Sequence, residues 1–182
     1  MTKLTRSLEL VKSLVAQIHE DWQVHQRDWT LPGFRAIAVY RFGRWVSERA
    51  EGVVRSLLYA VYRMLHRYIR NHYGIEMHET AKVGRRFLVG HQSGIVIHFN
   101  SEFGDDCVIR QNVTIGAAGV GRINDGPKFG HRVDIGAGAV IVGKVKVGDD
   151  ARIGPNAVVM TDVPAGATVF VDAPRMIKVK IP

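Results

Sequence analysis

Apolar residues recur at every sixth position over the C-terminal half of the chain. The large members of the series are Phe129, Ile135, Ile141, Val147, Ile153 and Val159, and glycine follows four of the six. Four positions after each comes a small apolar residue: Val133, Ala139, Val145, Ala151, Ala157 and Val163. A period of six fits no helix, and it predicts a β-solenoid with triangular coils of three six-residue sides.

Two irregularities interrupt this period. Apolar positions at Met77, Val83 and Val89 are followed by one at Ile97, so two extra residues lie around 91–94. A longer insertion, 117–128, separates Ile115 from Phe129 and is predicted to leave the solenoid as an arm. Irregularities in a repeat protein are expected to carry function, because the regular coils already supply the stability.

The N-terminal part of the chain has helical periodicity instead. Apolar spacing predicts helices over 4–18, 34–46 and 53–70, and glycine becomes frequent from residue 74. The predicted organisation is therefore a helical segment, 1–73, and a β-helix domain, 74–182, that includes the arm and a C-terminal tail. The third helix has an apolar face beside arginines, which fits either packing on the other helices or peripheral contact with a membrane.

The composition and charge of the chain exclude several classes of function. The 182 residues carry a formal charge of +8, which favours polyanionic partners, and no basic-aromatic motif indicates nucleic-acid binding. A single cysteine, Cys107, excludes an internal disulfide and a cysteine-based metal cluster, and is typical of a cytoplasmic protein. Uninterrupted apolar runs of about 20 residues, which a membrane span requires, are absent from the sequence.

His91 lies in the first irregularity, 15 residues after Glu76. Because one coil has about 18 residues and coils are spaced by about 4.8 Å, the two side chains are expected about one coil apart. A carboxylate there can accept the Nδ1 hydrogen and leave Nε2 free to take a proton from a hydroxyl group. From these residues alone, a catalytic dyad and a surface histidine near a solvated glutamate are equal alternatives for His91 and Glu76.

Three segments carry a resemblance to a known family. They read GIEMHETAKVGRRFLVGHQSGIVI, GDDCVIRQNVTIGAAG and IGAGAVIVGKVKVGDDARIGPNAVV. This part of the chain, about 74–178, resembles the hexapeptide-repeat acyltransferases of the serine O-acetyltransferase type. Within that family the pattern, together with QRDWTLPGFRAIAVYRFGRW near the N-terminus, is most similar to the exopolysaccharide branch that includes the colanic acid acetyltransferases.

The resemblance implies a left-handed parallel β-helix, a homotrimer with active sites between subunits, and acetyl-CoA as the acyl donor. His91 would then be the general base and Glu76 the residue that orients it, with no metal involved. The predicted contacts to acetyl-CoA are backbone amides that stabilise the oxyanion at Gly116 and Ala117, small residues along the pantetheine at Ala137 and Pro155, and cations near the CoA phosphates at Arg175 and Lys178.

The chain departs from serine acetyltransferases at the positions that hold the amino acid. Gly90 replaces an aspartate, Asp125 and Gly126 replace an Arg-His pair, and Glu76 replaces the usual aspartate of the dyad. The amino-acid contacts are therefore missing, and we expect a sugar hydroxyl of exopolysaccharide biosynthesis as the acceptor. Lipid-linked acceptors would place the enzyme in the cytoplasm at the inner face of the membrane.

Two alternatives stay open. The first is a serine O-acetyltransferase of cysteine biosynthesis with altered amino-acid contacts. The second is a non-catalytic or zinc-dependent β-helix protein, although His78 and His98 occupy outward positions and no third ligand has suitable spacing. Cys107 falls on an inward position, which predicts core packing and not a nucleophile.

Overall fold

The structure, a computed structural model, describes residues 3–48, 52–172 and residue 175. Three helices come first: α1 (Lys3–Val24), α2 (Pro32–Ser47) and α3 (Val53–Tyr73). Short strands follow: β1 (Ile75–Met77), β2 (Lys82–Val83), β3 (Leu88–Val89), β4 (Ile95–Ile97), β5 (Glu102–Phe103), β6 (Val108–Ile109), β7 (Thr114–Gly116), β8 (Lys128–Phe129), β9 (Asp134–Ile135), β10 (Val140–Val142), β11 (Lys146–Val147), β12 (Arg152–Ile153), β13 (Val158–Val159) and β14 (Thr168–Val169).

The strands form three parallel sheets, one on each side of a prism. The first sheet has the order β1-β4-β7-β10-β13, the second β2-β5-β8-β11 and the third β3-β6-β9-β12-β14. Up to β13, each strand pairs with the strand three places earlier in the chain, as expected when every coil contributes one strand to each side, and β14 pairs with β12 because the last coil adds no strand to the second sheet. The predicted parallel β-helix is therefore confirmed.

The pairing register also confirms both predicted insertions. Met77 pairs with Ile97, 20 positions later, whereas Ile97 pairs with Ile115, 18 positions later. Ile115 pairs with Ile141 across the longer insertion, 26 positions later. The fifth coil differs from expectation, because Val163 pairs with Val147, a large-residue position. The prediction that Val163 fills a small-residue position is wrong, since this coil is two residues short.

The inward-facing side chains of the repeat fill the interior of the prism. The large members Ile109, Ile135 and Ile141 are fully buried, as are the small members Val133 and Ala139. Complete burial of one such aliphatic side chain is worth about 1.5–3 kcal/mol, so the stacked coils supply most of the stability.

The helices pack on the N-terminal end of the prism. Helix α2 lies between α1 and α3 and also contacts β1 and β3. Its Ile37 and Tyr40 belong to the same hydrophobic core as the coils. Helix α3 ends at Gly74, whose φ of 62° suits glycine and whose N–H donates to the Arg70 carbonyl oxygen at 3.1 Å. The division into domains at residue 74 stays a prediction.

Helix α3 packs on α2 through part of the apolar face predicted for it. Leu58 and Leu65 of this face are half-buried, whereas Val54, Leu57 and Tyr68 are 66%, 66% and 48% exposed. The face is therefore packed on the other helices only in part, and contact with a membrane stays a prediction. No helix in the part of the chain that the structure describes is long and apolar enough to cross a membrane.

The arm leaves the prism after β7 and includes a short 3₁₀ helix, Val120–Arg122. Val120 is 93% exposed at its tip. The end of the arm returns to the second coil, where the Asn100 side-chain amide donates to the Asn124 carbonyl oxygen at 2.5 Å. Gly126 is buried at this contact, and it has no room for a side chain, since a Cβ would lie 2.3 Å from the Asn100 carbonyl oxygen. The arm is thus anchored at its C-terminal end, and Lys128 already belongs to β8.

Candidate active site

One corner of the prism carries three of the predicted site residues. His91, Ala137 and Pro155 each lie two positions after residues of the third sheet that are aligned across the coils. Backbone bonds join the successive coils at this corner, from Gly138 N–H to Gln111 O at 3.0 Å and from Asn156 N–H to Ala137 O at 2.9 Å. The Asn112 N–H donates in the same way to Ser93 O at 2.9 Å, so Ala137 and Pro155 align with Ser93, and His91 lies just before it, in the inserted residues of the same corner.

The two inserted residues shape the corner that holds His91. Ser93 and Gly94 adopt positive φ values of 81° and 68°. Gly94 packs so closely on the next coil that a Cβ would lie 2.3 Å from Asn112 Oδ1. Ser93 N–H donates to Tyr73 O at 2.8 Å, which attaches the loop to the end of α3. The backbone on both sides of His91 is thus fixed, while its imidazole is exposed.

Glu76 lies on β1, opposite Val96 of β4, and its side chain faces outward. Both Glu76 and His91 are exposed and lie on the first coil. Among the described residues, the recorded hydrogen bonds and ion pairs include none between these two side chains. The catalytic dyad therefore stays a prediction.

Gly116 and Ala117 lie at the C-terminal end of β7, across the first sheet from the corner that holds His91. Gly116 ends β7 and pairs with Val142 of β10, and its carbonyl oxygen accepts the Gly143 N–H at 2.9 Å. Gln111, on the same corner as His91, is five residues before Gly116, which at about 3.3 Å per residue is a path of roughly 16 Å. One chain therefore does not bring the predicted oxyanion donors to His91.

The predicted phosphate contacts lie near the end of the chain. Arg175 is described and exposed, whereas Lys178 lies outside the described residues. The basic side chains of Arg85 and Arg86, on the first coil, form ion pairs with Glu20 and Asp106, respectively.

The remaining candidates do not assemble into a second reactive site. His78 Nδ1 lies 2.9 Å from Thr80 Oγ1, and His98 Nδ1 accepts the Asn100 N–H at 3.2 Å. The described residues contain no group of three or more side chains suited to a metal ion. Cys107 is fully buried, as predicted, and burial raises the pKa of its thiol to about 11.

Sequence reasoning missed a buried polar group in the N-terminal helices. Asp21, His25 and Arg41 are 0%, 1% and 4% exposed, and all three contact the first coil. The available signal was an aspartate and a histidine four residues apart at the C-terminal end of α1, together with an arginine inside the apolar segment of α2. Helical periodicity identifies these elements but not their partners, which lie more than 40 residues away.

Comparisons with known proteins identify the family. Residues 126–161 match the model for the bacterial transferase hexapeptide, with six repeats. A serine acetyltransferase of Helicobacter pylori is 38% identical over 168 residues, covering 92% of each chain. A serine acetyltransferase of Mycobacterium tuberculosis is 36% identical over 76% of this chain and 57% of its own. The soybean serine acetyltransferase apoenzyme superimposes with a TM-score of 0.75 at 27% identity, covering 91% of this chain and 69% of its own.

These findings correct one prediction. These relatives are named serine acetyltransferases and nothing in them points to the exopolysaccharide branch, so that assignment and the sugar acceptor are wrong. The inference rested on Gly90, Asp125 and Gly126, three local departures that the similarity of the whole chain outweighs.

The broader predictions are confirmed. Relatives of this type are acyltransferases that use acetyl-CoA, and they support the left-handed hand of the coil. The similarity extends beyond the repeats, because the 168 matched residues also include most of the helical segment. The chain therefore belongs to the serine acetyltransferase family of hexapeptide-repeat acyltransferases.

Proposed function

We propose that the protein transfers the acetyl group of acetyl-CoA to the hydroxyl group of L-serine, giving O-acetylserine and free CoA. The observation that carries this proposal is the similarity to a serine acetyltransferase over 92% of both chains. The position of His91, in the inserted residues of the corner that carries Ala137 and Pro155, supports it from the structure.

In the proposed reaction His91 removes the proton of the serine hydroxyl as that oxygen attacks the thioester carbonyl carbon. The tetrahedral intermediate then expels the CoA sulfur, which takes the proton from the imidazolium. Glu76, on the same coil, stabilises the imidazolium charge. The exposed imidazole on a fixed backbone suits this role, since a general base has to reach substrate without moving the fold.

A trimer would complete the site. Outward residues of the first sheet include Val96 and Val158, which are 40% and 65% exposed, and Met160 beside them is 64% exposed. Apolar exposure of this kind on one face is typical of a subunit interface. An adjacent copy could place its Gly116 and Ala117 amides near His91, which a single chain does not do. Sedimentation equilibrium should show a trimer, and a stable monomer at micromolar concentration would contradict this arrangement.

The donor is expected to lie along the corner, with its pantetheine beside Ala137 and Pro155, where small side chains leave the backbone accessible. Arg175 and Lys178 are proposed to contact the phosphates. Arg175→Ala should therefore weaken CoA binding without lowering the melting temperature of the free protein.

The acceptor contacts have to differ from those of the family pattern. Gly90 is exposed and offers no carboxylate, and Gly126 has no room for a side chain. Other groups must therefore hold the ammonium and carboxylate of serine. L-serine, D-serine, L-threonine and a panel of sugars should be compared as acceptors, and we expect L-serine to give the highest kcat/KM.

The decisive experiment is His91→Ala, read as thiol release from acetyl-CoA with L-serine. Removal of a positioned base should lower kcat by about 10²–10⁴-fold, while CoA affinity and the melting temperature stay near those of the wild type. His78→Ala is the matched control and should keep kcat. If His91→Ala is as active as the wild type, His91 is not the base. If L-serine is not acetylated by the wild type, the proposed acceptor is wrong.

A further inference from the structure

The first coil of a β-helix has an open edge, because no earlier coil exists to pair with it. Backbone N–H groups of Lys82, Gly84, Leu88 and Gly90 donate to carbonyl oxygens of the second coil at 2.8–3.0 Å. Three other N–H groups of this coil, those of Val83, Phe87 and Val89, point the other way, toward the helices. Each would be a buried, unpaired donor unless the helices supplied an acceptor.

Helices α1 and α2 supply these acceptors from side chains. The Val83 N–H donates to Tyr40 Oη at 3.1 Å and the Phe87 N–H to Asp21 Oδ1 at 3.1 Å. The Val89 N–H donates to His25 Nε2 at 3.2 Å. The helical segment thus takes the place of a missing coil.

His25 has a defined protonation state in this arrangement. Nε2 accepts a hydrogen bond, so the ring proton is on Nδ1, from which it is donated to the Asp21 carbonyl oxygen at 2.6 Å. A second proton would sit on Nε2 and face the Val89 N–H, donor against donor. Burial lowers the pKa of His25, in agreement with a neutral ring.

The groups around His25 offer no other partner for that proton. On α1 the charged neighbour is the Asp21 carboxylate, and on α2 it is Arg41, whose Nε donates to Asp21 Oδ2 at 2.8 Å. The Phe34 ring packs with its centroid 6.0 Å from that of the imidazole. The first coil faces the ring with the backbone of Val89. The carboxylate is thus already occupied by the arginine and by the Phe87 N–H.

Val89 is two residues before His91, and the N-terminal segment holds it on two sides. Its N–H is bound by His25, and its carbonyl oxygen lies so close to α2 that a Cβ at Gly33 would be 2.0 Å from it. The segment then continues through Gly90, whose N–H donates to Ile109 O at 2.8 Å. A break at Val89 would therefore loosen the chain directly before His91.

We propose that His25 is a positioning residue that holds the strand leading to His91, and that its protonation releases this strand and lowers activity at acid pH. The inference rests on the proposed function, since it places His91 in the reaction. Protonation of His25 would then lower activity in addition to the loss that protonation of His91 itself causes.

The test compares the pH dependence of kcat/KM in the wild type, His25→Gln and the control His19→Gln. Glutamine can offer its Oε1 to the Val89 N–H but cannot be protonated near neutral pH, and His19 is an exposed histidine of the same helix. On the acid limb the logarithmic slope should approach about two for the wild type and His19→Gln, and stay at about one for His25→Gln. A slope of one in the wild type, or of two in His25→Gln, would overturn the proposal.

Hydrogen–deuterium exchange gives a readout that does not depend on the acceptor. The peptide that contains Val89 should lose protection between about pH 7 and about pH 5 in the wild type, after correction for the intrinsic rate, and not in His25→Gln. Equal protection at both pH values in the wild type would overturn the proposal, even if His25→Gln fails to fold. Absence of transfer to L-serine would reject the proposed function alone, and exchange would then decide the role of His25.

Discussion

Replacement of Tyr40 by Phe isolates the contribution of the helical cap to stability. The hydroxyl group donates to Ala81 O at 2.6 Å and accepts the Val83 N–H at 3.1 Å. The ring is 1% exposed and keeps its packing when the oxygen is removed. The substitution therefore leaves two backbone groups of the first coil unpaired and changes little else.

The cost follows from those two groups. A buried backbone donor or acceptor without a partner costs about 1–3 kcal/mol, so with two such groups the free energy of unfolding should fall by about 2–6 kcal/mol. This is a large part of a typical stability of about 5–15 kcal/mol. At an m value of about 2 kcal/mol/M the urea midpoint should fall by roughly 1–3 M, with the m value unchanged.

Urea unfolding should be measured at one fixed protein concentration, because assembly adds a concentration-dependent term. Tyr68→Phe is the matched control, since Tyr68 is 48% exposed on α3, and it should change stability by less than about 0.5 kcal/mol. If Tyr40→Phe also stays within that range, the first coil does not depend on side-chain caps and the reasoning is refuted.

Three further predictions concern the same end of the molecule and the core. Gly33→Ala should lower stability by about 1–3 kcal/mol in urea unfolding, because its Cβ would overlap Val89 O, and an unchanged midpoint would contradict this contact. Burial lowers the pKa of His25, so below about pH 6.5 the unfolded state binds more protons than the folded state. The contribution of neutral His25 to the free energy of unfolding is therefore complete above that pH and is lost as the pH falls. The substitution His25→Gln should flatten the acid side of a curve of stability against pH. Burial raises the pKa of the Cys107 thiol to about 11, so at neutral pH it should react with iodoacetamide only when the fold opens. Alkylation at the rate of an exposed thiol would exclude a buried core position.

The error about the acceptor has a physical origin. The predicted donor contacts Ala137 and Pro155 lie on a regular corner of the β-helix, where register fixes which residues align, whereas His91 lies in an inserted segment. The family positions considered for the acceptor, residues 125 and 126, lie in the arm, where no repeat fixes the register. A missing family residue at such a position therefore says little about which molecule binds.

The β-helix, its two insertions and the placement of His91 in the first of them could all be predicted from the sequence. These features depend on a short period repeated in every coil, so each repeat confirms the others. The shortened fifth coil escaped detection because Val163 suits both a large and a small position, and only pairing with Val147 distinguishes them.

Tertiary structure alone decided how the solenoid begins. Asp21, His25, Tyr40 and Arg41 each meet a particular backbone group of the first coil, 41 to 66 residues further along the chain. Each of these contacts occurs once, so no periodicity records it, and a buried polar side chain on an amphipathic helix gives no indication of its partner. The physical reason is that unpaired backbone groups at the end of a β-helix must be satisfied by whatever packs there, and the fold selects those side chains.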